Sequence, residues 1–291
     1  MKILLLGKMG QLGWELQRSL GTLGQITALD YAELDLENFS AVRKTIQELA
    51  PQVIVNAAAY TAVDRAENES DKAFAINAVL PGILAEQAMS TKAVLVHYST
   101  DYVFDGTKGS TYTEQDTPNP LGVYAASKLA GEQAIQAVDG AYLVLRTSWV
   151  YSLRRDSFVT KVLQWARQNE TVRIVSDQVS NPTWARMLAE ATALLIAKSG
   201  PDLSTYFIQN RGVYHLAGSG YTSRFGWAEH ILKIDPNAGE QIIRTLVEAA
   251  TQDFPTPAKR PLFSALDCSL FERTFGLHLP EWRQALQLAM L

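Results

Sequence analysis

Tyr124 and Lys128, in the string Tyr124-Ala125-Ala126-Ser127-Lys128, are the residues whose types and spacing most directly suggest proton chemistry. At positions i and i+4 of a helix their side chains leave one face and reach one bound ligand. A free phenol, with a pKa of about 10, is a poor proton carrier at neutral pH, but an adjacent ammonium favours the phenolate, and each unit of downward shift is worth about 1.4 kcal/mol. Such a pair suits ketone reduction. Tyr124 gives a proton to the forming alkoxide as hydride arrives from a nicotinamide, and Lys128 holds the nicotinamide ribose. Ser99-Thr100-Asp101 ends an apolar run, where the Thr100 hydroxyl would hydrogen-bond and polarise a carbonyl oxygen. Tyr-x-x-x-Lys alone is a weak motif and is also met as an exposed amphipathic pair; the three segments acquire weight by converging.

A second group of residues points to a dinucleotide. Gly7-Lys8-Met9-Gly10-Gln11-Leu12-Gly13 follows the first apolar run and opens a helical segment. Glycines at Gly7, Gly10 and Gly13 let the backbone turn tightly and let a pyrophosphate approach the helix N-terminus, whose free N–H groups favour an anion. The spacing is Gly-x-x-Gly-x-x-Gly, a departure from the usual G-x-G-x-x-G, so the loop is weak by itself. Asp30 ends the second apolar run at the distance where an acid bonds an adenosine ribose. A carboxylate there favours NADH over NADPH, while Lys8 would offset part of the repulsion of a 2′-phosphate, so both cofactors remain candidates. The small residues of Asn56-Ala57-Ala58-Ala59-Tyr60-Thr61 suit a backbone against which a dinucleotide lies.

These residues need elements to hold them, and the apolar pattern supplies candidates. Strands are expected at Ile3-Leu6, Ile26-Asp30, Val53-Asn56, Val94-Ser99 and Tyr142-Arg146, with helices between them at about 12–20, 40–49, 71–89 and 124–137. Alternation of this kind is the mark of an α/β protein: a Rossmann-type, doubly wound parallel sheet. Beyond Trp149 the rhythm loosens into helices near 157–168, 185–198 and 225–234 and short strands at 172–175 and 213–216, and four prolines break the final stretch. The expected division is a dinucleotide-binding domain at 1–150 plus about 185–215, and a smaller, partly interleaved substrate domain at about 151–184 and 216–291. The cleft should lie between them.

Composition removes several function classes. In 291 residues, 26 Lys+Arg against 30 Asp+Glu give a net charge of −4, which argues against a nucleic-acid partner. One cysteine, Cys268, leaves no disulfide framework and no Cys-rich zinc site, and fits a reducing compartment. No apolar run is long enough for a membrane span or signal, so a cytoplasmic protein is expected. The histidines His97, His215, His230 and His278 are scattered, with His97 and His215 read as strand residues with satisfied hydrogen bonds. No Gly-x-Ser-x-Gly elbow supports a serine hydrolase, and the acid pairs Asp64/Glu67 and Glu114/Asp116 are read as solvated surface.

Taken together, the motifs resemble those of the dTDP-4-dehydrorhamnose reductases, within the extended short-chain dehydrogenase/reductases, along nearly the whole chain. The glycine loop and Tyr-x-x-x-Lys are shared with sugar-nucleotide epimerases and dehydratases. More specific are the strings His97 to Gly106 (HYSTDYVFDG), Leu145 to Tyr151 (LRTSWVY) and Pro255 to Pro261 (PTPAKRP). The resemblance implies NADPH or NADH held by Gly10-Gln11-Leu12, Asp30, Asp35-Leu36, Ala59-Tyr60-Thr61 and Tyr98. It implies Thr100, Tyr124 and Lys128 as the catalytic set, and Thr100, Asp101 and Trp149 against a dTDP-sugar, whose 4-keto group is reduced to give dTDP-L-rhamnose. An indole face suits the apolar side of a deoxysugar, and Arg260 or Lys259 would neutralise its pyrophosphate. Some relatives bind Mg²⁺ at a dimer interface through glutamates. Glu15 is present, but Arg186 stands where a second ligand would, and no glutamate follows at Leu291, so no metal is expected and the molecule is taken as a monomer or homodimer. Ser152 to Ser157, with Arg154 and Arg155, replaces a Gly/Asn-rich segment, and its arginines would add phosphate affinity. The rival readings are a reductase of another nucleotide-linked 4-keto sugar, and a non-catalytic subunit like the regulatory partner of methionine adenosyltransferase.

Overall fold

Strands buried on both faces are apolar on successive residues, and the first five runs behave accordingly. In the computed structural model, which describes residues 1–291, they form β1 (Lys2–Leu6), β2 (Gln25–Leu29), β3 (Val53–Asn56), β4 (Val94–Thr100) and β5 (Tyr142–Thr147). With the edge strand Gly212–His215 they make a six-stranded, all-parallel sheet in the order edge strand, β5, β4, β3, β1, β2. Alternate residues face opposite ways. Ile3, Leu5, Val53, Val55, Val94 and Val96 meet Leu12, Leu16, Leu188, Leu195 and Phe207 on one side. Leu4, Leu6, Ile54, Leu95 and Val144 meet Val42, Ile46, Leu80 and Leu84 on the other. The expected Rossmann-type sheet is the one observed.

Two connections position the site. Helix α1 (Gln11–Ser19) starts one residue after Gly10, and helix α2 (Phe39–Leu49) is capped by the Asn38 side chain. Between β3 and β4 the expected single helix is interrupted: Ser70–Phe74 and Leu80–Thr91 flank a π-helical turn, Ala75–Val79. That turn aims the Asn77 amide at the Tyr60 backbone, accepting from Tyr60 N at 2.9 Å and donating to Tyr60 O at 3.0 Å, and at Ser127 Oγ at 3.1 Å. A wider turn here thus ties the chain after β3 to the helix Val123–Val138, which carries Tyr124 and Lys128.

The C-terminal part has its own aromatic core of Tyr151, Trp227 and Trp282 with Val162, Ile174 and Ile231. Thr171–Val175 pairs in parallel with Thr245–Ala249, a strand the pattern did not announce, and short helices follow at Ser269–Phe275 and Trp282–Ala289. Phe271 and Phe275 turn back to the sheet's core. No helix is long and apolar enough to cross a membrane.

Candidate active site

Open parallel sheets leave a crevice beyond the C-terminal ends of their strands. Here it is a cleft of about 1270 Å³, lined from the glycine loop through the ends of β2, β3, β4 and β5 to Trp149, Arg154 and Arg224. Single small-ligand pockets run to about 300–1,000 Å³, so there is room for two ligands. Gly7 has φ of +84°, and a Cβ on it would lie 2.7 Å from Ala58 N. A Cβ on Gly13 would overlap the Gly7 carbonyl, so Gly13 lies behind the loop as the contact that lets α1 pack against it, and it does not face the cleft. Gly10 lines the cleft, its position for a Cβ meeting only Gly7 O at 3.3 Å, and no side chain caps the first turn of α1. This cradle fits the pyrophosphate of a dinucleotide.

Gln11, Leu12, Asp30, Asp35, Leu36, Ala59, Tyr60 and Thr61 all line the same cleft. Gln11 also reaches the chain after β5, accepting from Ser152 N at 2.7 Å and donating to Val150 O at 3.4 Å. Asp30 is fixed by the backbone, accepting from Met9 N at 2.9 Å and Tyr31 N at 2.8 Å. Lys8 departs from expectation: its ammonium sits 2.7 Å from Glu33 and is outside the cleft lining, so its charge is already matched by a carboxylate. Tyr98 lines the cleft too, but its hydroxyl is buried against Thr192 Oγ1 at 2.7 Å, which leaves its backbone as the part available to a ligand.

Tyr124, Lys128 and Thr100 converge as the spacing predicted, from one helix and the end of β4. The electrostatics differ from expectation. Burial pushes the Tyr124 phenol above its ordinary pKa, the Thr100 hydroxyl pulls it partly back, and the Asp101 carboxylate adds to the rise. Lys128 does not ease that ionisation in this state, because its Nζ is turned onto the Tyr98 carbonyl at 2.6 Å and stands 3.3 Å from His97 Nε2. Burial lowers the Lys128 amine to about 8, with Glu132 acting the other way. Asp101 is 2% exposed, and burial raises it to about 6 although Ser264, Ser180 and Thr100 all donate to it. The buried hydroxyls of Ser99 and Thr147 have no protein partner and line the same cleft, so donors remain for a bound ligand.

Trp149 takes a left-handed backbone, φ +39°, uncommon for a bulky residue and a mark of functional positions. Its indole is stacked on Trp227 at 5.5 Å and capped by the Arg224 guanidinium at 3.7 Å. Arg224 went unnoticed in the sequence, since it belongs to no motif and is brought in only by the start of the helix Arg224–Lys233. It borders both the main cleft and a second cavity of about 580 Å³ lined by Phe158, Trp165, Arg173, Phe254 and Arg260. Arg260 is thus outside the main cleft; it lies 2.7 Å from Asp64 and, with Arg224, against the Tyr102 phenol. Lys259 lines neither of these two cavities.

Other expectations need correction. His97 is bonded at both ring nitrogens, but His215 is bonded only at Nδ1, 3.1 Å from Tyr112 O, and its Nε2 has no partner. All four acids read as solvated have structural work: Asp64 pairs with Arg260, Glu67 accepts from Val123 N at 2.9 Å, the partly buried Glu114 from His215 N at 2.8 Å, and Asp116 from Lys108 Nζ at 2.6 Å and Thr113 N at 2.7 Å. Arg154 and Arg155 line the cleft; Arg154 lies over Trp14 at 4.4 Å, and Arg155 donates to the Met9 carbonyl of the glycine loop.

Comparison with known proteins matches the arrangement to relatives. The sequence profile described as "RmlD substrate binding domain" matches residues 1–291. A dTDP-4-dehydrorhamnose reductase of Burkholderia thailandensis is 41% identical, over 100% of this chain and 98% of its own. Among solved structures, a dTDP-4-dehydrorhamnose reductase from Clostridium acetobutylicum superposes with a TM-score of 0.91 at 35% identity, covering 100% of this chain and 98% of that one. Another, from Bacillus anthracis in complex with NADP, has a TM-score of 0.87 at 32% identity, covering 99% and 97%. With a full-length match at these identities and a sheet, cleft and Tyr/Lys/Thr set of this form, the chain belongs to the dTDP-4-dehydrorhamnose reductase family.

Proposed function

We propose that this chain reduces the 4-keto group of dTDP-4-dehydro-6-deoxy-L-mannose with NADPH or NADH to give dTDP-L-rhamnose, with Tyr124 as proton donor. One observation carries the reading: Thr100, Tyr124 and Lys128 meet in a cleft large enough for a dinucleotide and a nucleotide sugar together. The cofactor, when bound, supplies hydride to the carbonyl carbon. Gly7, Gly10, Gln11 and Leu12 would hold its pyrophosphate; Asp30, with Asp35 and Leu36, its adenosine end; Ala59, Tyr60, Thr61 and the Tyr98 backbone its middle. Lys128 would hold the nicotinamide ribose.

Tyr124 begins protonated, since burial favours the neutral phenol, and donates to the alkoxide oxygen as it forms. Thr100, turning its one hydroxyl hydrogen from Asp101 to the substrate, would orient and polarise the ketone, and Asp101, clamped by two serines, would hold a sugar hydroxyl. Trp149, held by Trp227 and Arg224 in the cleft wall, would border the apolar side of the ring. Arg224 and Arg260 flank the passage to the second cavity, where a diphosphate would be neutralised and a base enclosed by aromatic walls. The reading takes the molecule as a monomer or homodimer acting in the cytoplasm, with residues 1–150 and about 185–215 on the cofactor side and the remainder on the sugar side. Mixing purified protein with the 4-keto sugar nucleotide and NADPH should oxidise the cofactor in step with formation of dTDP-L-rhamnose. Absence of both changes, where a known reductase works, would refute the reading.

A further inference from the structure

Lys128, His97 and Asn56 are each no more than 2% exposed, so their polar groups must satisfy one another. Asn56 Oδ1 accepts from Ala58 N at 3.2 Å, and because a backbone amide only donates, Asn56 must turn Nδ2 toward the imidazole. That amide nitrogen lies 3.0 Å from His97 Nδ1, which therefore accepts. A neutral imidazole carries one hydrogen, so it sits on Nε2, and Nε2 is the atom 3.3 Å from Lys128 Nζ. An ammonium offers three donors and no acceptor. The sequence of bonds from Ala58 N through Asn56, His97 and Lys128 to Tyr98 O closes without a donor facing a donor only when Lys128 is the neutral amine.

We propose that Asn56 and His97 are positioning residues that fix the imidazole tautomer and thereby poise Lys128 between amine and ammonium, as a proton-exchanging group instead of a fixed cation. Burial acts in the same direction on Lys128, and it holds His97 well below its usual pKa, hence neutral. The charged groups around the amine are few. Glu132, one turn along the same helix and locked to Arg146 of β5 by bonds of 2.9 and 2.6 Å, favours the ammonium. Tyr124 shares the helix, and Asp101, just after β4, acts on its phenol. When Tyr124 has given its proton to the sugar alkoxide, the phenolate favours a positive neighbour, and Lys128 takes a proton from solvent to become one. Proton uptake is then linked to turnover. The inference rests on the reductase reading, but its test reads the tautomer directly.

The test is the ¹⁵N spectrum of His97 in the whole protein near neutral pH, with and without NADP⁺, beside ¹³C titration of Lys128. An Nε2–H tautomer is expected in the protein without cofactor; an Nδ1–H tautomer there would overturn the proposal. Asn56→Asp replaces the donor facing Nδ1 by an acceptor and should switch the tautomer to Nδ1–H. The Lys128 titration and the alkaline limb of kcat/KM should then move up by about one pH unit or more. A switched tautomer with an unmoved Lys128 titration would also overturn it. If Asn56→Asp does not fold, the wild-type spectrum decides alone. A protein with the Nε2–H tautomer and no reductase activity would refute the reductase reading and leave this one standing.

Discussion

For the proposed reaction Tyr124 starts in the right form, because a phenol kept neutral by burial is what protonating an alkoxide requires. Replacing it by phenylalanine should lower kcat by about 10²–10⁴-fold while the Kd for NADPH, measured by fluorescence, changes little. A mutant retaining most of its rate would remove the proton-donor assignment. Asp101 gives a second prediction at this scale. Its carboxyl is raised to about 6 by burial, so the folded state binds more protons than the unfolded chain between about pH 4 and 6. The stabilisation is present in full below the unfolded pKa and is lost as pH rises through about 6. In urea titrations the stability of wild type relative to Asp101→Asn should therefore fall by about 3 kcal/mol from pH 3.5 to 7. A flat difference would mean the buried carboxylate is better solvated than its surroundings indicate.

Glycines at the start of α1 separate packing from binding. Gly13→Ala forces a Cβ into the Gly7 carbonyl and should lower the melting temperature of the protein without cofactor. Gly10→Ala has ordinary backbone angles, φ −67°, and a single tight contact, Gly7 O at 3.3 Å, so it should cost about 1 kcal/mol without cofactor yet weaken the shift that NADPH produces. Thermal unfolding of both variants with and without NADPH checks the pair; equal losses in both states for Gly10→Ala would place its Cβ outside the binding path. The strands and helices of the sheet were legible because their apolar runs and caps act locally, to within a residue or two for β1–β5. What escaped depends on long-range packing: Thr245–Ala249 is half exposed and pairs with Thr171–Val175 across some seventy residues of chain. The π turn that aims Asn77 has no sequence signature. Tyr124, Lys128 and Thr100 were legible since motif spacing translates directly into shared faces, whereas Arg224 was not, because its place beside Trp149 is set by the fold of the C-terminal part.

Across the molecule, Gln11 ties the glycine loop to the chain after β5, and Arg224 stands where the main cleft meets the second cavity. A guanidinium serving a diphosphate at that junction should matter for the sugar nucleotide and not for the cofactor. Arg224→Ala should raise KM for the dTDP-sugar by about 10–100-fold, as expected for loss of a hydrogen bond to a charged group, with KM for NADPH nearly unchanged. Equal effects on both would assign Arg224 to holding Trp149 alone. In the proposed reaction cofactor and sugar meet in this one cleft, with hydride delivered to C4. Supplying NADPH deuterated at the transferable position and examining the product by NMR tests it most directly. The expected product is dTDP-L-rhamnose bearing deuterium at C4, with none formed by Tyr124→Phe on the same timescale. Cofactor left unoxidised by the wild-type protein, or deuterium found at any other carbon, would contradict it.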